Sequence, residues 1–299
     1  MDFIISEGRY RSPLKPHLEF VISSFATEGD LPSLTIPPIC SIMVAMSVME
    51  SVAAKFLFFP TKVHQYHPSQ MDGPMEDLFF DSSEGIRLHG WFFTGQRKDR
   101  TLLYLHGNAG NIGDRVEKIR FLQKIGWNIF AFDYRGYGMS QGSPSIEGIL
   151  KDGRAALRFL TDKIGIPNEQ IILFGESLGG AVAVEIAADE PVAAMILEST
   201  FTSLRDLAHA VYRFLPEAAT PDVYRSIDLI RRSKAPVLII HGTEDEVVPF
   251  PMGQKLFESA PHPKRFFSVS GAHHNNIFDV AGKDYLGEIE SFLAATELT

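Results

Sequence analysis

The chain has 299 residues, 45% hydrophobic and 22% charged, with 28 basic against 37 acidic side chains and a net charge of −9. This composition excludes a mainly disordered, collagen-like or polytopic membrane chain, and the acidic balance argues against nucleic acid as a partner, since phosphate binding needs a cationic face. A single cysteine, Cys40, excludes an internal disulfide framework and a cysteine-based zinc site, and suits a reducing, cytoplasmic setting.

Residues 1–35 mix both charge signs with apolar residues and show no clean period. Residues 1–42 read as an N-terminal extension and a candidate for disorder. Residues 36–49 are uncharged and mostly apolar, but Pro37 and Pro38 interrupt them, and Glu50 and Lys55 fall where a membrane span would continue. A span needs about twenty apolar residues, and a secretory signal would carry its apolar core at the very start. Val44, Val48, Val52, Phe56 and Phe59 recur on one helical face, so a helix is expected over 43–59. It either packs on the domain or lies in a membrane interface as a weak anchor. A start at an internal methionine such as Met43 or Met46 would leave residues 1–40 without structure.

Residues 60–299 read as one domain. Residues 77–80 and 86–93, separated by Ser82-Ser83-Glu84-Gly85, predict a β-hairpin. Strands follow at 102–105, 127–132, 171–174, 194–197, 236–240 and 265–269. Helices are expected at 115–125, 146–164, 178–188, 204–214, 252–259 and from 277 onward. Apolar strands alternating with helices imply a parallel sheet buried on both faces. The expected architecture is a three-layer α/β sandwich with an antiparallel hairpin at its start.

Gly175-Glu176-Ser177-Leu178-Gly179 lies between a predicted strand and a small-residue helix. G-x-S-x-G forces a sharp turn that projects the serine at a helix N-terminus, so Ser177 is the candidate nucleophile. A serine needs a base, and the base an acid to orient it. Two polar loops follow predicted strand ends: His241-Gly-Thr-Glu-Asp245-Glu-Val-Val-Pro249 and Gly271-Ala-His273-His274-Asn275. Asp245 is assigned as acid and His274 as base, with Glu244, Glu246 and Glu198 as competing acids and His273 as competing base. His106 and His241 read as buried histidines bonding loop backbone. Oxyanion donors are placed at the backbone N–H of Leu178 and of Asn108, in the loop His106-Gly107-Asn108-Ala109-Gly110-Asn111. Such acyl-transfer chemistry requires neither metal nor cofactor.

These residues, with Asp133-Tyr-Arg-Gly-Tyr-Gly138, resemble the α/β-hydrolase superfamily over about residues 55–295. The resemblance is to small single-domain serine hydrolases with a minimal cap, including bacterial esterase-like proteins and protein depalmitoylases. It implies the α/β-hydrolase fold, a Ser177-Asp245-His274 triad, and a small acyl ester or acyl-thioester as substrate. A peptidase or amidase on the same triad stays open. His273 departs from the family pattern, which has glycine there, and could crowd the loop or compete for the acid. The residues 198–235 are too few for a large lid; Leu207, Val211, Tyr212, Phe214 and Leu215 within them either line an acyl pocket or pack the helix onto the core.

Overall fold

The protein divides into two compact units, Met1–Val52 and Ala53–Thr299. The computed structural model describes residues 57–66, 71, 73–211 and 220–296, all within the second unit. The extension 1–42 and most of the expected 43–59 helix lie outside those residues. The end of that helix is corrected: helix is present at Leu57, but Phe59 and Pro60 pair in parallel with Ala109 and Gly110. Pro60 pushes the residue before it out of the helical region, so the chain turns extended there.

Eight strands form one sheet: β1 (Met75–Asp81), β2 (Arg87–Phe93), β3 (Thr101–Leu105), β4 (Asn128–Asp133), β5 (Ile171–Glu176), β6 (Ala194–Glu198), β7 (Val237–Gly242) and β8 (Lys264–Val269). Their spatial order is β1-β2-β4-β3-β5-β6-β7-β8. β1 and β2 pair antiparallel, as do β2 and β4, and every later pair is parallel. The helices are α1 (Val116–Gln123), α2 (Ile146–Arg158), α3 (Leu178–Asp189), α4 (Leu204–Val211), α5 (Phe250–Ser259) and α6 (Lys283–Thr296).

Strand alternation divides the apolar residues between two cores. Leu103, Phe130, Leu173, Leu197 and Ile239 meet α2, α3 and α5 on one face. Leu102, Ile129, Ile172, Ile196 and Leu238 meet α1 and α6 on the other. Both faces are covered, which is why the parallel strands read as unbroken apolar runs. Each such fully buried Leu or Ile contributes about 1.5–3 kcal/mol. The result is the α/β-hydrolase fold, a three-layer sandwich.

Two expected helices differ from expectation. The one at 146–164 is α-helical only to Arg158 and then widens into a π-type segment, Phe159–Ile164. The wider turn lets the adjacent Phe159 and Leu160 both face the core, with Phe159 stacked on Phe80 at 5.1 Å. The C-terminal one breaks at Gly282, whose φ of 54° and ψ of −128° suit glycine, into a single turn Ile277–Ala281 and α6. Among the described residues no helix is long and apolar enough to cross a membrane.

Candidate active site

In chain order β4 lies on one side of β3 and β5 on the other, so the loops after β3 and β5 diverge. In open α/β sheets ligands bind at such a switch point, beyond the strand C-termini. The 106–111 loop follows β3 and Ser177 follows β5. Asp245 and His274 sit in the loops after β7 and β8, at the same end of the sheet.

Ser177 is the hinge between β5 and α3. Its φ of 53° and ψ of −111° lie where a side-chain-bearing residue is strained, at a cost of about 1–3 kcal/mol. The surroundings enforce it. Ser177 N–H donates to the Glu198 carbonyl at 2.8 Å, and Gly180 N–H donates back to the Ser177 carbonyl at 3.0 Å. A Cβ at Gly179 would strike the carbonyl of Leu105, so β3 and α3 approach this closely only with glycine there. Ser177 is 7% exposed.

The Asp245 carboxylate takes His274 Nδ1 at 2.8 Å on one oxygen and 3.0 Å on the other. The second oxygen also accepts Val247 N–H at 2.9 Å and Val248 N–H at 2.7 Å. His241 lies 3.4 Å away through Nε2 and also bonds the Val248 carbonyl. Burial alone would raise the Asp245 pKa. The hydrogen bonds from His241 and His274, with those from the loop N–H groups, hold it well below the usual carboxylate range. An Asp245 that stays ionised accepts the Nδ1 proton and leaves Nε2 of His274 with the lone pair.

The competitors stand elsewhere. His273 is half exposed and faces Glu246 at 3.1 Å and Glu244 at 3.8 Å, so it neither fills the loop nor reaches Asp245. Glu198 is buried and takes Lys118 Nζ and the Tyr285 hydroxyl. His106 is buried and bonds the Gly107 carbonyl at 2.7 Å. Asn108 is tied down by three bonds. Its carbonyl accepts Phe59 N–H at 3.0 Å and the Tyr137 hydroxyl at 2.8 Å, and its amide donates to the Leu57 carbonyl at 2.9 Å.

Two clusters escaped the reading of the sequence. Beneath Ser177, Glu176 accepts the Tyr104 hydroxyl at 2.5 Å and Lys118 Nζ at 3.2 Å, with Arg115 Nε at 3.3 Å. Lys118 bridges Glu176 and Glu198. Burial raises Glu176, yet Arg115, Lys118 and the Tyr104 hydroxyl pull its pKa far below the ordinary value, and the His274 charge adds to this. The available signal was Lys118 among Val116, Ile119 and Leu122 on α1: a lysine that faces the core needs a partner. No metal-ligating set was evident in the sequence, yet the fold gathers His64, His89 and Asp133 beside the 106–111 loop.

The α/β-hydrolase fold family model matches residues 100–224. An uncharacterized protein of Mycobacterium tuberculosis is 35% identical over 89% of this chain and 95% of its own length. The α/β hydrolase domain-containing protein WAV2 of Arabidopsis thaliana is 35% identical over 70% of this chain and 75% of its own. Among solved structures, the Pyrococcus furiosus esterase Pf2001 superposes with a TM-score of 0.67 at 22% identity, covering 79% of this chain and 98% of that one. An α/β hydrolase from Vibrio vulnificus gives 0.67 at 19%, covering 89% and 98%. With its strand order, its serine at the β5–α3 turn and these relatives, the chain belongs to the α/β-hydrolase family.

Proposed function

We propose that the chain is a serine hydrolase that cleaves carboxylic esters, thioesters included, through an acyl-enzyme. The observation that carries this reading is the buried, ionised Asp245 gripping His274 Nδ1 with both oxygens, at the same sheet end as a serine held at φ 53°. Fold-level analogy with the esterase from Pyrococcus furiosus agrees with it.

His274 Nε2 takes the proton as Ser177 Oγ attacks the acyl carbon. Asp245 stabilises the imidazolium. The N–H groups of Leu178 and Asn108 receive the developing oxyanion, a contribution of about 3–4 kcal/mol per donor in related chemistry. The bond to the leaving alcohol or thiol breaks, and His274 returns the proton to it. Water, deprotonated by His274, then attacks the acyl-serine and releases the acid. The bond between His106 Nδ1 and the Gly107 carbonyl holds the peptide plane that carries the Asn108 N–H before substrate arrives, and the bonds on the Asn108 carbonyl and side chain anchor the residue itself.

The test is hydrolysis of p-nitrophenyl esters from acetate to palmitate, beside acyl thioesters and an anilide, by the full chain and by Ser177→Ala and His274→Ala. Ester cleavage that falls at least about 1,000-fold in both variants is the expected result. Cleavage of the anilide alone would move the reading to an amidase. No cleavage of any substrate, or rates that survive Ser177→Ala, would end it. A palmitate optimum would favour the interfacial reading of the 43–59 helix.

A further inference from the structure

A second polar site stands beside the first and is independent of the hydrolase reading. β2 and β4 run antiparallel with His89 opposite Asp133, and β1 places Asp77 diagonal to His89 on the same face. The segment before β1 brings His64 onto them. His64 Nε2 lies 2.7 Å from Asp133 Oδ2, and His89 Nδ1 lies 3.6 Å from the same oxygen. The ligand atoms of the three residues are all within 4.8 Å of one another. His89 and Asp133 are fully buried, and His64 is 11% exposed.

The ring orientations make this site unusual. His89 Nε2 is 2.5 Å from Asp77 Oδ1, which holds the ring with Nδ1 turned toward Asp133. That buried Nδ1 has no hydrogen-bond partner among the described residues, and 3.6 Å is too long for one. The other side of the carboxylate repeats the pattern. His106 Nδ1 donates to the Gly107 carbonyl, and its Nε2, also buried and without a partner among the described residues, faces Asp133 Oδ1 at 3.8 Å. Buried ring nitrogens left without a hydrogen bond beside a buried carboxylate are costly, and a cation held by His89 Nδ1 and Asp133 would engage both.

We propose that His64 Nε2, His89 Nδ1 and Asp133 Oδ2 bind a divalent first-row transition metal of the zinc type. Two imidazoles and one carboxylate form a borderline donor set that suits zinc and is too nitrogen-rich for calcium or magnesium. Ligands about 2.05 Å from a tetrahedral ion stand about 3.3 Å apart, and the separations of 2.7 and 3.6 Å bracket that value. Asp77 on the far nitrogen of His89 is the carboxylate support that metal-bound histidines commonly have. On binding, the proton shared by His64 and Asp133 leaves to solvent, as does the proton on Nδ1 of a cationic His89, as the metal–ligand bonds form. The role is structural: the ion ties the chain entry to β2 and β4, and through Asp133 Oδ1, which accepts Ile112 N–H at 2.9 Å, to the loop beside Ser177.

The experiment titrates Zn²⁺, and Co²⁺ as its visible reporter, into chelator-treated full chain, with metal content measured on the protein as purified. About one site per chain is expected, with Co²⁺ ligand-field bands that Zn²⁺ abolishes. His64→Gln, at the exposed edge, should weaken Zn²⁺ at least about 100-fold, and Asp77→Asn about 10–100-fold. Circular dichroism verifies that both variants fold. His273→Gln should leave the titration unchanged. Absence of Co²⁺ bands and of Zn²⁺ binding in the wild type would overturn the proposal, as would wild-type affinity in both variants. Neither readout depends on ester cleavage.

Discussion

Asp245 and Asp133 are a natural pair. Each is a buried aspartate at the C-terminal end of the sheet, and each is ringed by histidines. Around Asp245 the partners are donors, from His274 and two loop N–H groups. Around the Asp133 carboxylate only His64 and Ile112 N–H, among the described residues, approach within hydrogen-bond distance, while His89 and His106 present nitrogens at 3.6 and 3.8 Å. One carboxylate grips a single imidazole with both oxygens; the other has one close imidazole, His64, and two held just beyond hydrogen-bond reach. The Asp77 carboxylate and the Gly107 carbonyl engage the far nitrogens of His89 and His106 and hold those two rings in place.

The largest effect that could break this contrast is on rate. Asp245→Asn should lower kcat about 1,000- to 10,000-fold with secondary structure intact, because an amide cannot hold the imidazolium. Asp133→Asn should lower it less than about tenfold. Ester kinetics and circular dichroism on both variants decide, and equal losses would erase the distinction.

A third kind of buried carboxylate, paired with cations, sharpens the picture. Lys118→Met leaves Glu176 and Glu198 without their shared ammonium and should cost about 3–5 kcal/mol of stability, read from urea unfolding. Glu176→Gln should cost about 2–4 kcal/mol at pH 7. Its sign with pH follows from the depressed carboxyl. The stabilisation is complete above the ordinary value of 4.5 and is lost as pH falls through the lower folded value. The gap between wild type and Glu176→Gln should therefore close in acid, which urea midpoints at neutral and strongly acidic pH would show. Smallest of all, His273→Ala should change stability by less than about 0.5 kcal/mol, since its pairs with Glu244 and Glu246 are exposed.

Much of this molecule was legible in its sequence. Each predicted strand is present, because strands buried on both faces leave apolar runs that polar loops punctuate. The turn at Ser177 was legible because a positive-φ turn between strand and helix requires small residues two positions away on each side. Asp245 and His274 were legible from loops placed at strand ends, and the structure pairs their side chains. The His64, His89 and Asp133 cluster was not. It exists only because β2 lies beside β4 in a register that sets His89 against Asp133, and strand order is not written in any local window. Asp133 stood within a motif that was noticed, without a partner to give it meaning. The π-type turn after Arg158 escaped because one extra residue in a turn barely disturbs an apolar period.

The pairing of Phe59–Pro60 with Ala109–Gly110 bears on where this chain can be shortened. A truncation placed at β1, the first strand of the main sheet, would remove more than a tail. The Asn111 amide donates to the carbonyls of Thr61 and Val63, and the Asn108 amide to that of Leu57. A protein trimmed to its sheet would keep Ser177 and lose the brace on the loop opposite it. The shortest fully braced version therefore begins before Leu57, some twenty residues earlier than the sheet itself suggests.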